Sequence, residues 1–581
     1  MKAICLVKQV PTLGSIEFDE ETHSLKREGV PLELNAFDRY AVQHAARLAD
    51  EVVVMTMGPP QAEEALREAL GLGAHRAIHL SDRVFAVADT LGTSRTLALA
   101  IEKEGADLVL CGRKALDSET WQVPSQVAAF LGWPHVTNAA AVEQSGDALR
   151  LTRHTDFGEE VYEADLPIVV SVGLPPEQSA SGDPDGPIDV WEATDLVDEV
   201  LDYDKRFGQP GSPTRVLAVR DSRPERAGIR AANAGEAAAK VRELLAERAP
   251  EAPSWDKPEN LAEEPAATYD CWSVCELVDG RPRRVSLELI ARSRVLAGKL
   301  GGRSVALLIG HRLDEPARAA AMHGAEALYL ADDPALAEYH PELWTAVLRK
   351  VLVDHSPHAL LVPATGRGRD YGPRTAGELE LGMTADCVGV DIAKAGRLLQ
   401  QKPAYGGNIV SVIMGATTPQ MATVLPRMYD PLEPRDFQTE VQRLDLGTLP
   451  APKVRVVERT QSWRSYDLDE NDVVVGVGPS VDRELVDEIR DLGAAVAGTR
   501  EACEAGVVPR TCQVGLLGRP IAPRLYVGLG VGDDLEHWGG VVKARVIATI
   551  DDDTPDEADV SLSGDPREIL PNLLDSVGPA G

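Results

Sequence analysis

The sequence predicts an α/β protein of three domains, the first two sharing one parallel-sheet topology and the third a doubly wound sheet with a glycine-rich ligand face. Three observations carry this. Short apolar strands alternate with amphipathic helices along the chain, residues 58–82 recur in recognisable form at 310–333, and residues 510–540 set seven glycines between β-type runs. Strand–helix alternation means a parallel sheet covered by helices. A recurring unit of this length means one topology used twice. A chain of 581 residues is too long for a single core.

The elements follow in order. Ala3 to Val10 reads as a strand, Asn35 as the cap of a helix running to about Asp50, and Glu51 to Met57 as a strand stopped by Gly58-Pro59-Pro60. From Gln61 to Leu72 a helix gathers Ala65, Leu66, Ala69 and Leu70 on one face, the spacing that buries a stripe against a sheet. The unit repeats with a strand at Ala77 to Leu80, a helix at Thr90 to Lys103, a strand at Asp107 to Gly112 and a helix near Thr120 to Leu131. GPPQAEEALREALGLGAHRAIHLSD at 58–82 has its counterpart in GHRLDEPARAAAMHGAEALYLADD at 310–333, and DLVLCGRKALDSETWQV at 107–123 in HALLVPATGRGRDYGPR at 358–374. The expected boundaries are 1–215 and 269–430 for the paired domains, 216–268 and 431–465 for linkers, and 466–581 for the third domain. Within the first linker, the Pro-, Ala- and Glu-rich run from about Glu247 to Thr268 reads as a tether that holds the related domains at high effective concentration. In the third domain, strands are expected at Asp472 to Val477 and Lys543 to Ile550, and helices at Asp482 to Leu492 and after Asp565-Pro566. Ligands are expected beyond the carboxyl ends of its strands.

Asp and Glu outnumber Lys and Arg by 92 to 59, and the resulting charge of −33 disfavours nucleic acid and anionic membrane surfaces as partners. The carboxylates are spread over linkers and exposed positions (Glu263 and Glu264, Asp198 to Asp204, Asp551 to Asp553), which favours adaptation to high salt over one docking patch for a basic partner. Seven cysteines with no C-x-x-C pair, most in apolar runs, read as buried free thiols of a reducing cytoplasm and argue against disulfides and thiolate metal sites. No signal peptide opens the chain, and no apolar run reaches the roughly 18 residues of a membrane span. No Ser/His/Asp or His/Glu constellation stands at telling spacing, so no general base or nucleophile is expected.

Glycines at the density of 510–540 let the backbone approach a ligand and leave N–H groups to face anionic oxygens. A nucleotide cofactor is the natural candidate, and a ligand-free turn region the alternative. Asp117, Thr120, Gln122 and Val123 follow a strand end and enter a helix, as a phosphate-binding loop does, where free N–H groups and the helix dipole favour anions. The alternative there is an ordinary helix cap.

Several longer stretches then become recognisable: VKQVP at 7–11, LNAFDRYAVQHAARL at 34–48, CGRKALDSETWQV at 111–123, GRDYGPRTAGEL at 368–379, GTREACEAGVVP at 498–509, QVGLLG at 513–518 and APRLYVGLG at 522–530. Through them nearly the whole chain resembles the electron transfer flavoproteins, with a β-subunit-like half first and an α-subunit-like half second. The resemblance implies two adenine nucleotide α-hydrolase-like domains and a C-terminal FAD-binding domain. It further implies a redox FAD in the third domain and a second adenine nucleotide, AMP or another FAD, in the first. By position, Thr499 and Arg500 match the Ser-Arg pair beside the flavin ring, where a cation would stabilise the anionic reduced ring. His537 matches the histidine near flavin O2 and would act the same way. Gln513, Gly515, Gly518, Gly530, Val531 and Gly532 would line the cofactor, Asp551 and Asp565 its adenosine and ribityl end, and Phe37 would flank the flavin from the first half. The second nucleotide would lie against Leu6, Asn35, Met57, Asp117, Thr120, Gln122 and Val123.

Departures from the family pattern are also visible. Leu516-Leu517-Gly518 replaces Gln-Thr-Gly and so lacks a hydroxyl near flavin N5. Gly532-Asp533-Asp534-Leu535-Glu536-His537 replaces Ser-Gly-Ala-Ile-Gln-His, and its new carboxylates oppose an anionic ring or a pyrophosphate. Asp551 stands for an asparagine and Pro479 for an arginine. DSETWQV resembles the bifurcating type more than the simple carriers, although Trp121 and Pro124 are unusual. Pro176 to Pro187, PEQSASGDPDGP, carries neither the anchoring leucine nor the lysines of the family's dehydrogenase-docking loop. The implied function is an electron carrier that takes electrons from a dehydrogenase and passes them to a quinone-linked oxidoreductase or another acceptor, with bifurcation from NADH as a variant. A non-redox adenine-nucleotide-binding relative with a degenerate flavin site is the competing class.

Overall fold

A computed structural model describes the chain apart from residues 13–16, 20–23, 27–28, 201–203, 223, 251, 261–268, 462–464, 552–556 and 579–581. The first domain supplies strands β1 (Lys2–Leu6), β2 (Glu51–Met57), β3 (Arg76–Leu80), β4 (Leu108–Gly112), β5 (His135–Ser145), β6 (Ala148–Thr155), β7 (Gly158–Ala164), β8 (Ile168–Val172) and β9 (Ile188–Trp191). They lie in the order β9-β3-β2-β1-β4-β8-β5-β6-β7. The sheet is parallel from β9 to β5 and antiparallel from β5 to β7. Strands β4 (LVLCG) and β8 (IVVSV) are buried along their whole length, as continuous apolar runs must be when helices cover both faces. Helices α1 (Ala36–Leu48), α2 (Glu63–Gly71), α3 (Thr90–Glu104) and α4 (Val123–Leu131) supply that cover.

Two expectations shift here. The strand read as Ala3 to Val10 ends at Leu6, and Gln9–Pro11 pairs instead with Leu32–Leu34. The helix expected from Thr120 begins only at Val123, because Glu119 and Trp121 take left-handed φ values of 47° and 61° that no helix can pass through.

The second domain repeats the plan with β12 (Cys271–Cys275), β13 (Ser304–Gly310), β14 (Ala327–Asp332), β15 (Ala359–Pro363), β16 (Met383–Cys387), β20 (Gln420–Val424) and β21 (Glu440–Arg443), ordered β21-β14-β13-β12-β15-β20-β16. Position for position this is the β9-to-β5 series of the first domain, so the repeat read in the sequence is a repeat in space. Its helices are α6 (Arg284–Leu300), α7 (Asp314–Met322), α8 (Pro341–His355) and α9 (Gly368–Glu378). Helices α4 and α9 pack on each other so closely that a Cβ on Gly377 would press on Ala129.

The third domain orders β23 (Val473–Val477), β24 (Ala495–Gly498), β25 (Leu525–Leu529), β26 (Val546–Ile550) and β27 (Val560–Leu562) as β27-β26-β25-β23-β24, all parallel. Numbered along the chain this is 2-1-3-4-5, a doubly wound order with its topological switch between β23 and β25. Helices α10 (Arg483–Asp491), α11 (Arg500–Glu504), α12 (Leu535–Val541) and α13 (Pro566–Asp575) follow its strands.

The segments expected as linkers carry structure. In 216–268, β10 (Thr214–Asp221) adds an edge to an antiparallel sheet of β17 (Gly389–Ile392), β18 (Leu398–Ala404) and β19 (Ile409–Gly415), in the order β10-β19-β18-β17. Strand β11 (Ile229–Arg230) pairs with β27, and Ala237, Val241, Leu244 and Leu245 of helix α5 (Ala234–Glu247) lie in the third domain's core. In 431–465, β21 extends the second sheet, and β22 (Val454–Gln461) pairs with β7 of the first. Apolar alternation in these segments was diluted by charge and proline, which hid them. Residues 261–268 of the expected tether lie outside the described residues.

Candidate functional site

The first crevice opens at the carboxyl ends of β1 and β4, where the order β3-β2-β1-β4-β8 reverses. Asn35 stands at the amino end of α1, yet its side chain does not cap that helix. It is buried, donates to Lys114 O at 3.0 Å and accepts from Leu116 N at 3.2 Å, so it fixes the loop after β4. Asp38 does the same from the next turn, accepting from Lys8 N (2.8 Å) and Gly112 N (3.0 Å), with burial pushing its carboxyl up to about 7. Leu6 is buried and Met57 half-buried at the ends of their strands. Asp117 is paired with Lys8 at 2.6 Å, which over-rides burial and lowers its pKa.

The loop after Asp117 is joined to the second domain. Tyr405 N donates to Asp117 O (3.2 Å) and Gly406 N to Glu119 Oε1 (3.1 Å), while Gln122 donates to Met383 O at 3.1 Å and accepts from Thr90 Oγ1 at 2.6 Å. Lys114 pairs with Glu119 at 2.8 Å, and Lys402 is buried beside the same loop. Among the described residues, the backbone N–H groups of Thr120, Trp121 and Gln122 bond no protein acceptor. Together with the start of α4 they form a row of donors backed by lysines, a site whose chemistry fits a phosphate.

The second crevice lies at the β23–β25 switch of the third domain. A Cβ on Gly478 would overlap the Gly530 carbonyl, so the loops after β23 and β25 can meet only because residue 478 has no side chain. Gly530 and Gly532 take φ values of 62° and 68°, and the Cβ side of Gly532 is open. This cradle fits a dinucleotide. Asp551 accepts from Gly564 N at 3.2 Å, and Asp565 caps α13 at Arg567 N.

The ring end of that crevice differs from expectation in three ways. Thr499 spends its hydroxyl on capping α11, accepting from Ala502 N at 3.1 Å. Arg500 is ion-paired with Glu504 at 3.0 Å and half-exposed, and that bond raises its pKa. His537 is buried, donates from Nδ1 to Val514 O (3.1 Å) and accepts from the Tyr526 hydroxyl at Nε2. Burial pushes its imidazole down to about 4, so it is neutral at pH 7 and supplies no cation. Glu536 instead turns inward. Its carboxylate accepts from Leu517 N (3.1 Å) and Gln513 Nε2 (3.4 Å), and burial together with Asp534 raises its pKa.

Between the crevices, a cleft is lined by all three domains. Gln513, Leu517 and Gly518 come from the third, Gly366 and Arg369 from the second, and Arg113, Trp121 and Asn138 from the first. Phe37 is buried behind it, its ring covered by the Arg113 guanidinium at 4.5 Å. The structure thus groups the Gln513–Gly518 turn near Phe37 and groups Asn35, Asp117 and Gln122 around the first crevice. Arg113, Lys114 and Lys402 were not singled out from the sequence. The first two could have been, as adjacent cations directly after a buried parallel strand. Lys402 could not, since it reaches the site only through the packing of the second domain.

Two nucleotide-type crevices on parallel sheets, facing each other across a cationic cleft, define an α/β protein built to hold nucleotide cofactors. A family model described as "Electron transfer flavoprotein domain" matches residues 22–196 and 271–449, and one described as "Electron transfer flavoprotein FAD-binding domain" matches 467–542. The chain belongs to the electron transfer flavoprotein family. Its first part is 40% identical over 237 residues to the electron transfer flavoprotein subunit beta of Thermoanaerobacterium thermosaccharolyticum, covering 39% of this chain and 91% of that one. Its remainder is 33% identical over 316 residues to the protein FixB of Clostridium saccharobutylicum, covering 52% and 94%. It is also 31% identical over 309 residues to the LctC subunit of the lactate dehydrogenase (NAD(+),ferredoxin) of Acetobacterium woodii, covering 51% and 74%. Subunits that are separate in these relatives are therefore matched in tandem here. No helix among the described residues is long and apolar enough to cross a membrane.

Proposed function

We propose that the chain is a single-polypeptide electron carrier that takes electrons from a dehydrogenase into FAD and yields them to a quinone-linked oxidoreductase or another acceptor. The observation that carries this reading is the cleft, where the Gln513–Gly518 turn of the FAD-binding domain meets cationic and aromatic side chains of the first half. Gly530, Val531 and Gly532 would hold the FAD pyrophosphate, with Asp551 and Asp565 toward its adenosine. Gln513, Gly515 and Gly518 would face the ring, with Thr499, Arg500 and His537 packed around them. When bound, the flavin supplies the electron storage that side chains cannot. The residues of this chain orient it, exclude water and set the surrounding charge.

The first crevice would hold AMP or a second FAD, its phosphate on the Thr120–Val123 donors and its base against Leu6, Asn35 and Met57. A second FAD would suit a bifurcating carrier, a role toward which the two acceptors in the name of the Acetobacterium relative, NAD(+) and ferredoxin, point. The competing reading is a nucleotide-binding relative without redox function, and what favours it is the Glu536 carboxylate at the ring-facing turn. Anaerobic reductive titration of the FAD-reconstituted chain at high salt tests the proposal. Bound flavin that bleaches on reduction and recovers on adding a one-electron acceptor supports it. A chain that stays colourless, or sheds its flavin on reduction, favours the competing reading.

A further inference from the structure

The cleft contains one cation whose place is not explained by an ion pair. Four arginines that line it are each matched by a carboxylate: Arg153 with Asp370 at 2.9 Å, Arg369 with Asp386 at 2.9 Å, Arg510 with Glu504 at 2.8 Å and Arg519 with Asp469 at 2.6 Å. Arg113 has none within ion-pair distance among the described residues. Its guanidinium donates to Leu517 O at 2.6 Å, Gly518 O at 3.0 Å and Asn138 Oδ1 at 3.2 Å, all neutral acceptors. It lies 4.5 Å from the Phe37 ring centroid and 5.0 Å from that of Trp121, and its Nε is buried without a partner.

A buried cation without a directly bonded carboxylate is costly, and the Glu536 carboxylate acts on Arg113 only from beyond ion-pair distance. In a chain of net charge −33, carboxylates to neutralise it are abundant. Burial lowers the Arg113 pKa only to about 10, with Arg369 adding to the effect and the Glu536 carboxylate opposing it, so the group stays charged at neutral pH. Cation–π contact and carbonyl dipoles offset part of the cost. They also fix the guanidinium on the third-domain turn expected to face the flavin ring. The two other candidate cations are spent, Arg500 paired with Glu504 and His537 held neutral by burial.

We propose that Arg113 of the first half is the positive charge that balances the reduced flavin of the third domain, delivered across the domain boundary through the Leu517–Gly518 carbonyls. It is a positioning and charge-setting residue, and the inference rests on the reading that the third domain takes FAD. A flavin that gains two electrons and one proton carries one negative charge, and a fixed cation beside it stabilises that form over the oxidised one. Arg113 also ties the first half to the turn, so the same side chain would couple docking of the domains to flavin potential.

The test is the two-electron midpoint potential of the FAD-loaded full chain, measured by dye-equilibrated titration for native protein, Arg113→Met, Arg113→Lys and Arg500→Ala. The expected result for Arg113→Met is at least a tenfold loss of preference for reduced over oxidised flavin, a downward shift of about 30 mV for a two-electron couple. Arg113→Lys should keep most of the native potential, and Arg500→Ala should shift it less than Arg113→Met. Bound FAD with an unmoved potential in Arg113→Met overturns the inference alone, as do equal shifts in the Met and Lys variants, which would mark a packing role. Should Arg113→Met not fold, Arg113→Gln takes its place under the same criteria. Failure of the native chain to take up any FAD overturns the flavin reading and this inference with it.

Discussion

Glu536 sets the charge at the turn expected to face the flavin ring more than the histidine beside it does. Its carboxylate takes the Leu517 N–H and the Gln513 amide, and on the proposed flavin reading it places negative charge where reduction would add more. Glu536→Gln keeps an acceptor for Leu517 N and removes the charge. The midpoint potential of bound flavin should therefore rise, on the order of 60 mV if a one-electron equilibrium changes tenfold. An unchanged or lowered potential in that variant would mean that Glu536 does not face the ring. At this scale the sequence was informative about which positions matter and less so about what they do. The Asp533-Asp534-Glu536 replacement is visible as charge, whereas the neutrality of His537 follows from its burial, which only the packed fold creates. Arg113 was likewise visible in CGRK, but its lack of a carboxylate is a property of three domains meeting.

Helices α4 and α9 occupy equivalent places in the two related domains and pack on each other, and one buried cluster ties α9 to strands β5 and β6 of the first half. Asp370 on α9 accepts from Tyr339 at 2.8 Å, lies 2.9 Å from Arg153 and bonds His135 at 2.7 Å, the last two belonging to the first half. Burial alone would raise the Asp370 carboxyl, but Arg153 and His135 over-ride it and hold it well below the usual range. A depressed carboxyl stabilises the fold above its unfolded pKa of about 3.9, and that contribution is lost as pH falls below it. Asp370→Asn strands the Arg153 guanidinium and should cost about 3–5 kcal/mol near neutral pH. In urea-unfolding curves the gap between native and variant should close as pH is lowered from 5 toward 2. A gap independent of pH would show that the cluster acts by shape rather than charge. The repeat that creates this interface was legible from residues 58–82 and 310–333. The strands β10, β11 and β22, which cross from one domain to another, were not, because edge strands in charged segments lack the apolar runs of buried ones.

Across the whole molecule the three domains are held by one another's elements as much as by covalent linkage. Strand β22 closes the first sheet from the far side of the second domain, and α5 lies in the core of the third. An ionic node joins all three, with Arg283 of the second half 3.0 Å from Asp156 of the first and 3.3 Å from Asp469 of the third, which Arg519 also meets at 2.6 Å. Such a frame holds the two crevices on either side of the cleft. The pseudo-symmetric second domain has the same strand order, and at the carboxyl end of its β12 a buried Glu276 accepts from Thr365 at 2.9 Å and Tyr371 at 3.1 Å. The most direct test of this account is to denature the purified chain, after incubation with FAD at high salt, and count released nucleotides against protein. The account predicts one FAD with one AMP, or two FAD, per chain. A chain that releases adenine nucleotide but never flavin would contradict it.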